Sequence, residues 1–194
     1  MGELPKLINA LVILALGWGL KDSFDRSLKQ RELDLSYAKE LRELLQIMGD
    51  PNSNAVTLTA TARVIASFGP AAIAPLLGEL SAGRMRGAAA ASGLRILGLT
   101  HPRELCAALP NVLGRSGRLF AWQDQLEVVR ILGEAECREA VPMLKAYKAL
   151  VEAAGKGSTA ALQAHVLQLP LSPQEDYPAL LEDIDATLGA LEAP

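Results

Sequence analysis

The side chains able to do chemistry are few and scattered. Two histidines, His101 and His165, stand far apart in a chain of 194 residues. A metal site needs three or four converging ligands, so both read as surface or internally satisfied groups. The carboxylates Glu134, Glu136 and Glu139 cluster near a helix entry. There they read as solvated charges rather than an acid–base pair. Cys106 and Cys137 match no metal motif, and two cysteines in a chain this size make no disulfide framework. The expectation is a pair of buried or half-buried free thiols, acting as small hydrophobes. Gly-rich phosphate loop, nucleophile elbow and paired-histidine spacing are all missing. The residues therefore predict neither an enzyme nor a cofactor.

The elements that carry these residues are helical. Half of the chain is apolar but only 4% is aromatic, so the apolar content is mostly Ala and Leu. Those are strong helix formers, and no alternation of period two persists to suggest a strand. A chain of this length can bury one sizeable core and still carry an appendage. Its formal net charge of −3 argues against generic nucleic-acid binding. The charge is uneven: residues 1–54 carry −1, residues 55–120 carry +5 and residues 121–194 carry −7. A basic middle beside an acidic end suggests separate contact surfaces, or solvated faces whose signs fell unevenly.

Leu7 to Leu20 holds no charge. Fourteen helical residues span about 21 Å, short of a hydrocarbon core of roughly 30 Å. Counting from Leu4 reaches the lower limit for spanning if Lys6 snorkels to the headgroups. We read residues 1–21 as a single-pass membrane anchor, with Leu7, Leu11, Ile13, Leu14, Trp18 and Leu20 as its anchoring side chains. Trp18 near one end suits an interface. Lys21, Arg26, Lys29 and Arg31 follow the run, whereas only Lys6 precedes it. The positive-inside rule then places the remainder on the cytoplasmic side of a cell inner membrane. Two other readings stand beside this one: a cleaved signal peptide, and a helix buried in a soluble core or a partner's groove.

Residues 22–54 form an amphipathic neck. Phe24, Leu28, Leu35, Ala38, Leu41, Leu45 and Met48 make one helical stripe, which is expected to pack on the first helix pair of the repeat region. Asp50-Pro51-Asn52-Ser53-Asn54 gathers turn formers that should end the helix.

Self-similarity then appears. Ile65–Leu77, Leu97–Leu109 and Leu132–Leu144 align without gaps at offsets of 32 and 35 residues, the range of helix-pair repeats. Leu132-Gly133 followed by Glu139-Ala140-Val141-Pro142 and Leu144, together with Arg86-Gly87-Ala88-Ala89-Ala90, resembles the short bacterial variety of HEAT repeat. The resemblance covers residues 55–154 and departs at Ala107, where the other two segments have Pro75 and Pro142. It implies an all-α solenoid of three helix pairs. Apolar spacing predicts the same pairing on its own. Leu58, Ala62, Ile65 and Phe68 share one face, as do Ile73, Leu76, Leu77 and Leu80. Leu105, Leu109 and Val112 repeat the pattern, and so do Val141, Leu144, Tyr147 and Val151. Gly98 and Gly133 are expected to supply left-handed residues at helix C-termini. Residues 155–194 should cap the stack with a helix over 159–169 and a final acidic one.

These features predict a membrane-anchored protein–protein interaction scaffold or accessory subunit of a membrane complex. Arg84, Arg86, Arg95, Arg115 and Arg118 are the candidate contacts for an acidic protein partner or anionic headgroups. The alternatives are an exported binding module whose leader is removed, and a factor that positions a cofactor for another enzyme. The last follows from the resemblance, since some bacterial HEAT-like proteins are accessory factors or lyases for chromophores.

Overall fold

In a computed structural model, the structure describes residues 32, 35–115, 122–156 and 176–193. Residues 1–21, where an anchor is expected, the first part of the neck, Arg118, His165 and the helix expected over 159–169 lie outside them. The described residues are all-helical, with no strand among them. The chain divides into two units, Met1–Glu43 and Leu44–Pro194.

Helix α1 covers 35–49 and ends at the predicted turn. There Asp50 Oδ1 accepts from the Asn52 backbone amide at 2.9 Å, and the Ser53 hydroxyl donates to the Ile47 carbonyl at 2.8 Å. Of the neck stripe, Phe24 and Leu28 lie outside the described residues; Leu35 is 71% exposed, and Met48, in the second unit, is fully buried.

Three helix pairs come next. Asn54 caps α2 (Ala55–Ala66), its side chain accepting from the Thr57 amide and filling one of the vacant first-turn donors. A 3-10 turn at Gly69–Ala72 leads into α3 (Ile73–Leu80). The second pair is α4 (Arg84–Thr100) and α5 (Pro102–Arg115). Helix α5 opens at Pro102, where a missing amide costs nothing, so the lack of proline at 107 leaves the helix intact. The third pair is α6 (Trp122–Glu134) and α7 (Val141–Gly155), joined through a 3-10 turn at Arg138–Ala140. A last helix, α8, covers Asp176–Glu192.

Most residues of the predicted apolar faces are buried, with Phe68, Leu77 and Val141 half-buried. Leu58, Ala62, Ile65, Ile73, Leu76 and Leu80 are inside, as are Leu105, Leu109, Leu144, Tyr147 and Val151. Each residue of this kind removes apolar surface worth roughly 2 kcal/mol from water. Helix α4 packs against α2 and α3, then α5 and α6, while α8 packs on α6 and α7. The approach of α4 is close because its inner face is small. A Cβ on Gly93 would sit 2.9 Å from the Ala62 carbonyl oxygen and from Leu76 Cδ1. Ala89, Ala90 and Ala91 are buried beside it.

Two glycine expectations are corrected. Gly98 and Gly133 lie within helices and adopt no left-handed backbone. They are spacers instead: a Cβ on Gly98 would meet Ala135 Cβ at 3.1 Å, and one on Gly133 would meet Thr187 at 3.2 Å. The left-handed residue after α6 is Glu136, at φ 54°. Its strain is held by the turn that delivers Cys137 to the core, where the Cys137 amide donates to the Leu132 carbonyl at 3.0 Å.

Candidate interaction surface

Two of the five arginines that the sequence offered for partner contact, Arg86 and Arg95, are paired with glutamates of the same unit. Arg95 on α4 reaches across to α6, with Nε donating to Glu134 at 2.7 Å and a terminal nitrogen to Glu127 at 2.9 Å. Burial lowers the affinity of this guanidinium for its proton, and the two carboxylates outweigh that loss, so its pKa is raised. Arg130 continues the row. It donates to Asp183 on α8 at 2.8 Å and to Glu127 at 3.3 Å, and the Asp183 bond raises its pKa despite some burial. On α7, Lys148 meets Asp185 at 2.5 Å and Lys145 meets Glu192 at 2.6 Å. The basic groups of one helix thus face the acidic groups of the next, and part of the charge asymmetry along the sequence is settled inside the molecule.

Among the candidate arginines, the side chains of Arg86 and Arg95 are described. Arg86 is paired with Glu79, its Nε donating at 2.8 Å, and Arg95 is paired with Glu127 and Glu134. Arg84 opens α4 and Arg115 closes α5. Arg118 falls outside the described residues.

An open groove of about 640 Å³ runs between α4 and α6. Gly87, Ala88 and Ala91 line it from α4, and Asp124, Glu127 and Arg130 from α6. A second, smaller hollow of about 240 Å³ lies beside Leu99, with Gly98, Ile131 and Ala135 in its lining. Leu99 itself is 83% exposed.

The remaining polar groups serve packing. His101 is half-buried with its ring against Gly69, whose φ of +65° and lack of a Cβ let the turns of the first two pairs touch. His101 Nδ1 shares a hydrogen bond with the Thr100 hydroxyl at 2.9 Å. Inside the third pair, the Tyr147 hydroxyl donates to Gln125 Oε1 at 2.7 Å, and burial pushes the phenol's pKa up. Of the three carboxylates near the α6–α7 turn, Glu134 is bound to Arg95, while Glu136 and Glu139 face solvent. Among the described residues no group of three or more His, Cys, Asp or Glu side chains is placed to hold a metal ion.

The cysteines overturn their expectation. Cys106 on α5 and Cys137 in the turn before α7 form a disulfide, with Cα atoms 5.2 Å apart, and neither thiol is free. Their separation of 31 residues lies close to the offsets of 32 and 35 between the self-similar segments. That closeness is the signal in the sequence.

Compared with family models, curated proteins and solved structures, the chain finds no match.

Proposed function

We propose that the chain is a membrane-anchored scaffold or accessory subunit, whose HEAT-like helix pairs stack as a short solenoid and present a contact surface to other subunits of a membrane complex. The observation that carries this reading is the succession of first helices: α2 lies on α4, α4 on α6, and α6 on α8. Such an array makes extended surface from local contacts and needs no converging catalytic groups. The all-helical fold supports the reading. Among the described residues no helix is long and apolar enough to cross a membrane, so the tether is assigned to Leu7–Leu20.

In this reading the arginines divide their work. Arg86 and Arg95 hold neighbouring elements in register, and Arg84, Arg115 and Arg118 are the contacts offered to an acidic partner. Affinity purification of the full chain from its native membranes, followed by mass spectrometry, should recover at least one partner subunit in defined stoichiometry. Replacing Arg84, Arg115 and Arg118 together by Glu should reduce that recovery about tenfold or more, as expected when like charges meet across an interface. A chain that leaves detergent-solubilised membranes as a lone monomer would defeat the proposal.

A second reading, an exported binding module with its leader removed, draws support from the buried disulfide. Intact mass separates the two, because export predicts loss of about the first 17 residues at the Ala15-Leu16-Gly17 region.

A further inference from the structure

We propose that the Cys106–Cys137 disulfide belongs to the working protein, and that its helix pairs accordingly operate in an oxidising compartment. The geometry is that of neighbouring layers meeting. Cys106 belongs to the second helix pair and Cys137 to the turn of the third, and their Cα separation of 5.2 Å lies within the span that a disulfide bridges. Both residues are buried, at 4% and 0% exposure, with Leu105, Leu109, Leu132 and Ala140 buried around them in sequence. The chain contains only these two cysteines, so the bond has no rival thiol within it.

Burial decides what kind of disulfide this is. An exchange catalyst needs an accessible, activated thiolate, usually with both cysteines close in sequence. Here the sulfurs are enclosed and 31 residues apart, which suits a structural staple. Formation removes two electrons and two protons from the two thiols. A protein disulfide of the compartment's oxidising system accepts them and leaves as a dithiol. That exchange must take place while the pairs are still open, because packing afterwards closes the approach. A chain folding under a cytosolic glutathione poise would keep both thiols, whereas one folding outside it would be bridged.

The staple and the flanking charge point to opposite sides of the membrane. Lys21, Arg26, Lys29 and Arg31 predict a cytoplasmic repeat unit, and the disulfide predicts the other side. We assign the greater weight to the disulfide, since charge flanking a short apolar run biases orientation without fixing it.

The test is made on the full chain in its native cells. Acid quenching, denaturation and N-ethylmaleimide treatment should leave the chain without adducts, and reduction should then expose two thiols to the reagent. Two adducts before reduction would overturn the proposal. Protease added to intact protoplasts or spheroplasts should digest the helix pairs, and protection would overturn the compartment even with the bond formed. In purified protein, reductant should lower the melting temperature by about 10 °C, the shift expected for opening a loop of this length in a domain of this size. The Cys106→Ser, Cys137→Ser double variant should melt at that lower value and ignore reductant. An unchanged melting temperature on verified reduction would remove the staple's structural role.

Discussion

Helix α4 meets α2 by a different device from the one that joins α6 to α8. Across the first contact the backbone of one helix touches the other directly, with Gly93 against the Ala62 carbonyl. Across the second, Gly133 faces the side chain of Thr187 while Arg130 reaches Asp183 at the rim. The first device leaves no room for added atoms. The second also uses a glycine, but a side chain and not a main-chain oxygen faces it, and its charged part is open to salt. A main-chain fit and a side-chain fit with a charged rim therefore occur within one unit.

Substitutions should separate the two devices. Gly93→Leu should be the most damaging, costing about 3 kcal/mol, because its new atoms meet a main-chain oxygen that has no means of withdrawal. Urea unfolding reads that loss directly, and a cost below about 1 kcal/mol would show the contact to be pliable.

Tyr147→Phe should come second, at about 1–2 kcal/mol near neutral pH, since Gln125 loses its buried phenol donor. The same residue controls an alkaline response. Burial raises the folded-state pKa above the ordinary value of 10.0, so the neutral phenol is the form that folding favours. Its contribution is complete below pH 10.0 and declines as pH rises beyond it toward the folded-state value. The wild type should lose stability over that interval more steeply than the Phe variant. Parallel curves would refute the assignment.

Gly189→Ala should raise stability by about 0.5–1 kcal/mol, because a Cβ there meets nothing within 4 Å and alanine favours the helix. A loss instead would mean that α8 is more tightly enclosed than its open face implies. The smallest effect belongs to Arg130→Met, below about 1 kcal/mol and shrinking further in molar salt, since the pair is exposed. A larger cost, insensitive to salt, would move the α6–α8 contact into the same class as the Gly93 seam.

The helices were legible in the sequence because helical burial is a local periodicity. Leu58, Ala62 and Ile65 declare one buried face, and Leu144, Tyr147 and Val151 another, without reference to anything distant. The turn at Asp50–Asn54 was legible for the same reason, as its hydrogen bonds close over two to six residues. What escaped depends on the spacing between pairs. Arg95 finds Glu127 and Glu134 at separations of 32 and 39 residues, and the cysteines meet at 31. Taken singly, such residues are indistinguishable from exposed arginine or free thiol. Gly98 and Gly133 misled for a related reason. Glycine near a helix end signals either a left-handed cap or a close neighbour, and the neighbour comes from another part of the chain. The proposed contact arginines share this limit, since their pairing is decided by packing between helices.

Helix α4 has a consequence for how the unit comes apart. One seventeen-residue rod lies against α2 and α3 as well as α5 and α6, so partial unfolding on either flank should reach it last. Its backbone amides should be the slowest to exchange with deuterium, and loosening it should release both flanks together.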